Sequence, residues 1–278
     1  MRFDISQFCS GLKQVKQNLW TLNCSERETF PGDVHKFNFS TEDQSFWFLH
    51  RAQCISAIVE KFFSRDLFFD IGGGTGFVAE MIAKKNKMPV VVIEPHPDVK
   101  DIVPLRPGVS LIHANFERLE IFPESLPAVG LFDVIEHIED DEKFLENVAN
   151  KVKPGGKILI TVPALEFLWS MEDQNAGHFR RYDLGKLTSL LEQKKMRVIY
   201  SSHLFSFLVP PIFFLRTVPT WLGLRKPGNW QAYRQDHKLN PIFSSFISWL
   251  SSWELGLIKK ESSPVFGSSI IVCAEKLS

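Results

Sequence analysis

Residues 67–80 read LFFDIGGGTGFVAE, with four glycines among five positions between an apolar run and a helical pattern. A chain gives up side chains in this way where the backbone must turn tightly or come close to another group. LFFDI, aromatic and β-branched, reads as a buried strand. After the glycines, Val78, Met81 and Ile82 recur at helical spacing. Lys84, Lys85 and Lys87 gather towards the helix end, where the dipole favours cations. PVVVIEP then reads as a second buried strand ending at Glu94. Strand, glycine turn, helix and strand make a βαβ unit, which calls for a parallel sheet. In open α/β sheets a ligand lies beyond the carboxyl ends of the strands, where Gly72, Gly74 and Gly76 would let bare backbone reach it. A glycine turn that only packs helix on strand would look the same, so Glu94 matters as a second, independent feature.

The dinucleotide spacing G-x-G-x-x-G fails here, because Phe77 stands where the third glycine would fall. The spacing is G-x-G-x-G, and Asp70 precedes it. An acid at the strand end disfavours a pyrophosphate and suits an ammonium or sulfonium. Glu94 can accept from both ribose hydroxyls and repels a 2′-phosphate. An adenosine ligand with a cationic tail and no phosphate satisfies both acids, and S-adenosylmethionine is such a ligand. A nicotinamide-dependent dehydrogenase is the weaker rival.

From about residue 46 to residue 200 the sequence resembles the class I S-adenosylmethionine-dependent methyltransferases, in a small-molecule branch similar to bacterial cell-surface and quinone-type enzymes. The motifs are DIGGGTG, the acid in VVVIEP, FDVIEHIEDDEKFLENVANKVKPGGKILITVPA and GHFRRYDLGKL. The resemblance implies a Rossmann-like, doubly wound α/β fold whose seven-stranded sheet is parallel except for its last strand, with S-adenosyl-L-methionine as cofactor. It places Asn115, where relatives often carry an acid, near the adenine, with Phe116 able to stack on the ring; a plain strand-to-loop turn reads equally well. Asp133 ends strand four beside the methionine part of the cofactor. Trp47 and Arg51, one helical turn apart, cover the cofactor, and Arg51 could meet its carboxylate. His137, adjacent to Glu136, and His178 are the two candidates for a base. Arg180, Arg181 and Tyr182 form the acceptor wall, where guanidinium groups can hold phosphate or carboxylate. The plainer alternatives are a packing His137 and arginines that bridge to acids within the fold. A related quinone-methylating branch sets an acid–histidine pair like Glu136–His137 near a metal, but no further ligand with clear spacing is visible, so no metal is expected.

Lys+Arg and Asp+Glu both number 32, which argues against a general nucleic-acid binder. The four cysteines, Cys9, Cys24, Cys54 and Cys273, are scattered, so reduced thiols in a cytoplasmic protein are expected rather than a disulfide framework. The first residues lack the apolar stretch of a signal peptide. Residues 1–40 offer no usable motif, and Thr41 to Gln44 read as a capping box opening a helix. The core is expected over residues 41–202 and 266–278. Residues 203–265 between strands six and seven are long enough to carry structure of their own. There LFSFLVPPIFFLRTV is too short and too broken by proline to span a membrane. PIFSSFISWLSSWELGLIKK is amphipathic, with Phe243, Phe246, Ile247, Leu250, Trp253 and Leu257 on one face. A helical cap burying these aromatics and walling the substrate pocket is the first reading. A lipid-facing surface giving peripheral membrane contact and a dimer interface are the others. The expected function is methyl transfer to a small-molecule or lipid- or sugar-linked acceptor at oxygen; the alternative is an inactive cofactor-binding partner or scaffold. Oligomeric state is not legible.

Overall fold

The strand Phe68–Ile71 leads into the glycine turn, and its neighbours decide what the turn faces. The computed structural model describes residues 4–22, 42, 45–225 and 241–278. In chain order, β1 (Cys9–Ser10), β2 (Leu12–Lys16) and β3 (Leu19–Leu22) precede helix α1 (Phe46–Phe62). Then come β4 (Phe68–Ile71), α2 (Phe77–Asn86), β5 (Val90–Ile93), β6 (Val109–His113), β7 (Glu120–Ile121) and β8 (Leu126–Phe132). The chain continues through α3 (Asp141–Lys151), β9 (Val152–Pro163), α4 (Met171–Ala176), α5 (Leu184–Gln193), β10 (Met196–Leu204), α6 (Pro241–Lys259) and β11 (Ser269–Lys276).

The main sheet runs β10-β11-β9-β8-β4-β5-β6-β3-β2. β4 lies parallel to both β5 and β8, so the chain reverses its outward march beside β4. That is the switch point at which a doubly wound sheet leaves a crevice. The residues of β4 and β5 are buried throughout, as strands covered on both faces require. β11 pairs antiparallel with both β9 and β10, as expected of the last strand. The expected Rossmann-like fold is therefore present, but among the described residues the sheet has nine strands rather than seven. β3 adds in parallel to β6 and β2 folds back on β3. β2 is almost wholly solvent-facing, so no apolar alternation marked it in the sequence.

Helix α1 begins at Phe46 after an extended Ser45; the expected capping box at Thr41 and Gln44 lies outside the described residues. Its buried side chains include Phe48, Ala52, Ile55 and Val59 but also His50, Arg51 and Cys54. A single apolar stripe described it poorly because α6 packs against it as well as the sheet. Asp183 caps α5 as expected, accepting from the Lys186 N–H. The KPGG stretch, expected to turn from helix to strand, instead lies inside β9, with Gly155 at φ 72°.

The excursion after β10 has two limbs. The first runs through short helical turns, Val209–Ile212, Phe213–Thr217 and Val218–Trp221. Thr217 Oγ1 donates to the Leu168 carbonyl at 3.0 Å and the Met171 N–H donates to Thr220 Oγ1 at 3.1 Å. The second limb is α6, anchored by a fully buried acid. Glu254 accepts from the Phe205 N–H at 2.7 Å, the Ser206 N–H at 2.9 Å and Ser206 Oγ at 2.9 Å, and it pairs with His50 Nε2 at 2.7 Å. Phe205 is held at φ 58°, ψ 42°, a left-handed conformation unusual for a bulky residue. The inward face of α6 thus centres on Glu254 and Ile258, while Phe246, Trp249 and Trp253 point outward. Of the face expected to be buried, Ile247, Leu250 and Leu257 are half-buried while Phe246 and Trp253 point outward, because the polar anchor turns the helix about Glu254. Phe243's side chain lies outside the described residues.

Removing Glu254 leaves the Phe205 and Ser206 N–H groups and His50 without their acceptor. Glu254→Ala is expected to lower stability by at least about 1–3 kcal/mol, the cost of an unsatisfied buried donor, read by urea denaturation. A loss below about 1 kcal/mol, the range of an exposed pair, would show that the anchor is incidental.

Candidate active site

The carboxyl ends of β4, β5 and β8 bring Asp70, Glu94 and Asp133 around the glycine turn. Gly72 sits at φ 70°, and a Cβ there would meet Val134 at 2.8 Å. A Cβ on Gly73 would meet an Asp70 carboxylate oxygen at 2.6 Å. The bare backbone therefore makes room first for Asp70 beneath it. Glu94 Oε2 accepts from the Gly74 N–H and Oε1 from the His96 N–H, each at 3.1 Å, so the acid expected to meet a ribose also shapes the loop. Gly76 opens α2 in the left-handed region.

Asp70 is fully buried, and neither oxygen has a hydrogen-bond partner among the described residues. Burial pushes its pKa to about 8; the charge of Arg51 works the other way, and Glu94 adds to the rise. An orphaned buried carboxylate is a place for a cationic group to land, which fits a ligand carrying an ammonium or sulfonium. A cavity of about 110 Å³ opens here, lined by Arg51, Asp70, Gly72, Thr75, Phe77 and Phe132 among others.

Arg51 lies 4.5 Å over the Trp47 ring and pairs with Asp133. The two residues expected to cover the cofactor are thus in contact with each other, and Arg51 lines the cavity with its guanidinium on Asp133. Asp133 itself is held at φ 57° and accepts from Thr161 Oγ1 at 3.0 Å. Asn115 caps its own turn by accepting from the Glu117 N–H at 2.9 Å, and Phe116 is buried edge-to-face against Phe144. In this structure both serve the local packing.

Sequence reasoning missed Arg106. Its Nε donates to the Thr75 carbonyl at 2.6 Å, Nη1 to Glu80 at 2.6 Å and Nη2 to Glu42 at 3.2 Å, and Thr75 Oγ1 donates to Glu42 at 2.5 Å. This network fastens the glycine turn from below. Arg106 stands in a proline–glycine turn far from the motif, where no local pattern announces it.

The second half of the site forms where the loop after β8 meets the one after β9. The Phe179 N–H donates to the Glu136 carbonyl at 2.8 Å. The His137 and His178 rings meet edge-to-face at 4.8 Å. His178 Nδ1 lies 3.0 Å from Asp173 Oδ1, so with the proton on Nδ1 the lone pair is on Nε2. Arg181 grips the same carboxylate through Nε and Nη2, both at 2.9 Å, and reaches the Ala164 carbonyl with Nη1. Burial works against the charge of Asp173, but His178 and Arg181 hold its pKa below the usual range. Burial, then the charge of His178, lowers His137 to about 4, so it is neutral near pH 7. Arg180 pairs with Asp141 and donates to the Glu139 carbonyl, while the Tyr182 hydroxyl donates to Asp141 at 2.7 Å. A wider groove of about 1140 Å³ lies along Trp169, Phe179, Arg180, Arg181 and Tyr182. It is lined by neither histidine and by no residue of the glycine turn.

Glu136 is the counterpart of Asp70. It is fully buried, its oxygens lack partners among the described residues, and burial raises its pKa to about 8. The charge of Arg51 acts on both acids, which joins the two halves electrostatically. Glu136, His137 and His178 each offer a ligand atom within 4.8 Å of the others, a set that could hold a metal ion. The sequence showed only the adjacent pair; the fold supplies the third group.

A family model described as a methyltransferase domain matches residues 48–207, more than half of the chain, and the chain belongs to that family. A curated relative from Mycolicibacterium smegmatis, named "Probable S-adenosylmethionine-dependent methyltransferase", is 26% identical over 54% of this chain and 59% of its own length. The mitochondrial ubiquinone biosynthesis O-methyltransferase of Schizosaccharomyces pombe is 27% identical over 36% of this chain and 38% of its own. The chain thus spans roughly half the length of the curated relatives it matches. Among solved structures, a Haemonchus contortus phosphoethanolamine N-methyltransferase in complex with phosphomonomethylethanolamine and S-adenosylhomocysteine aligns with TM-score 0.50 at 16% identity, covering 90% of this chain and 61% of that one. At that identity the likeness is one of fold.

Asp70 and Glu136 keep protons in the folded state up to about pH 8 that the unfolded chain loses near 3.8 and 4.5. The folded state therefore binds more protons between about pH 4 and 8, and the stability of the cofactor-free protein falls as pH rises through that window. Asp70→Asn and Glu136→Gln should each flatten the fall. Thermal unfolding midpoints at several pH values check this, and variants that parallel the wild type would refute the assignment.

Proposed function

We propose that the chain is an S-adenosyl-L-methionine-dependent methyltransferase acting at the oxygen of a small-molecule or lipid- or sugar-linked acceptor. The observation that carries this reading is an orphaned buried acid under the glycine turn together with a carboxylate-held histidine beside Glu136, a second acid on which the same Arg51 charge acts. Asp70 takes the cationic end of the cofactor, Glu94 the ribose, and Gly72, Gly74 and Gly76 the close backbone approach. Trp47, Arg51 and Asp133 bound the methionine side, and Asn115 and Phe116 the adenine side. The cofactor supplies an electrophilic methyl on a sulfonium. The protein's share is alignment, exclusion of water and removal of one proton. His178 Nε2 takes the acceptor hydroxyl proton while Asp173 holds Nδ1, and Arg181 fixes Asp173. Neutral His137 packs against His178 and sets its angle. Arg180 and Tyr182, already organised by Asp141, receive an anionic part of the acceptor. The O-methyltransferase named among the relatives supports the choice of oxygen. The catalytic cluster beside the cofactor crevice favours an enzyme over an inactive scaffold.

A second reading has its own observation, the partnerless Glu136 carboxylate beside two imidazoles. Those three groups would hold a divalent cation, which would supply Lewis-acid activation of the acceptor oxygen. Dialysis against a chelator and metal analysis of the purified protein separate it from the base-only reading.

His178→Ala is expected to lower turnover by roughly 10²- to 10⁴-fold, the usual worth of a general base, with cofactor affinity nearly unchanged. S-adenosylhomocysteine release across a panel of hydroxyl acceptors reads the first, and calorimetry reads the second. Equal losses in both would contradict the assignment.

A further inference from the structure

The insertion carries a surface that methyl transfer does not require. On α6, Phe246, Trp249 and Trp253 follow i, i+3, i+7 spacing, which aligns them along one stripe. They are 57%, 62% and 49% exposed, and Phe246 and Trp249 stack on each other at 6.0 Å. The first limb adds Phe214 at 66% and Trp221 at 62%. Single exposed apolar residues are ordinary, but repeated exposed tryptophan and phenylalanine in one insertion are not. Charge supplies the second observation. Between residues 204 and 260 there are seven Lys and Arg against two Asp and Glu, one of which is the buried Glu254; with 32 of each in the whole chain, the remainder holds 25 against 30. Among the described residues of this segment, Arg216, Arg225, Lys259 and Lys260 stand against the buried Glu254 alone, and Arg225 pairs with Glu172 of the core. No helix among the described residues is long and apolar enough to cross a membrane, so these residues do not belong to a span.

We propose that the described parts of the insertion, residues 204–225 and 245–260, form a docking surface for an anionic lipid bilayer. The aromatic stripe enters the interfacial zone, where amphipathic rings are favoured, and the exposed Lys259 and Lys260 at the end of α6 meet the headgroups. The first limb also packs on the loop that leads to Asp173 and His178, through Thr217–Leu168 and Thr220–Met171. Docking would therefore bring the acceptor side of the site towards the lipid surface.

The test uses the full chain and co-sedimentation with vesicles of phosphatidylcholine alone or mixed with phosphatidylserine. Binding is expected to the mixed vesicles, weakly or not at all to the neutral ones, and to decline as salt is raised. Trp249→Ser with Trp253→Ser should weaken it about tenfold, and Lys259→Glu with Lys260→Glu should weaken it on anionic vesicles. Circular dichroism and the melting temperature confirm that each variant is folded. Absence of binding to mixed vesicles overturns the proposal, as does binding that neither pair of substitutions alters. A concentration-dependent dimer in sedimentation velocity that the tryptophan substitutions abolish, without vesicle binding, would assign the stripe to a second copy instead. None of these readouts depends on methyl transfer.

Discussion

Arg51 holds the site together. Asp133 pairs with it directly, and its charge acts on both Asp70 and Glu136. Three acids at the ends of two adjacent strands would repel one another in a low-dielectric crevice without a cation among them. The price of that arrangement is visible in Asp70 and Glu136, whose pKa values burial still lifts to about 8. Burial thus keeps both acids protonated near neutral pH in the cofactor-free protein, and a cationic ligand would favour their charged form. The glycine turn is fastened twice, by Arg106 and Glu42 through Thr75 and by Glu94 through the Gly74 N–H.

The position of Arg51 is in turn set from outside the core. Its guanidinium rests on Trp47, and Trp47 stacks nearly parallel to Phe205 at 5.6 Å. Phe205 is the first residue after β10, kept in a strained conformation while its N–H is held by Glu254. Glu254 in turn pairs with His50, one residue before Arg51 on α1. A closed circuit thus runs from α6 through Phe205 and Trp47 to Arg51, and back through α1. The excursion is part of the active-site architecture rather than an appendage, which explains why a chain would keep a buried ion pair so far from the glycine turn.

Much of this was legible in the sequence where the signal is local. The βαβ order, the strand ends at Asp70, Glu94 and Asp133, and the helix begun at Asp183 all follow from patterns within a dozen residues. What escaped was set by contacts between distant segments. β2 and β3 join the sheet through β6 without apolar alternation of their own. Arg106 fastens the glycine turn from a residue pair 31 positions away. Arg181, read as an acceptor-binding group, has its fork engaged by Asp173, whose role no spacing disclosed. The triad of Glu136, His137 and His178 needs two loops brought together, and only the adjacent pair was visible beforehand.

The rotation of α6 shows the same limit most sharply. Its sequence sorts into an aromatic side and a serine side, and burial of the larger apolar area would be expected to win at about 25 cal/mol per Å². It wins only in part: Glu254 lies on the Ile247–Leu250 edge of that face, and aiming its carboxylate at the Phe205 and Ser206 N–H groups and His50 leaves the Phe246–Trp249–Trp253 edge outward. Unsatisfied buried donors cost about 1–3 kcal/mol each, and several depend on one carboxylate. The polar anchor therefore outweighs the aromatic face, and the aromatics are left facing outward. An exposed stripe is the consequence of fixing Arg51 from a distance, and its exposure makes it available for a second use.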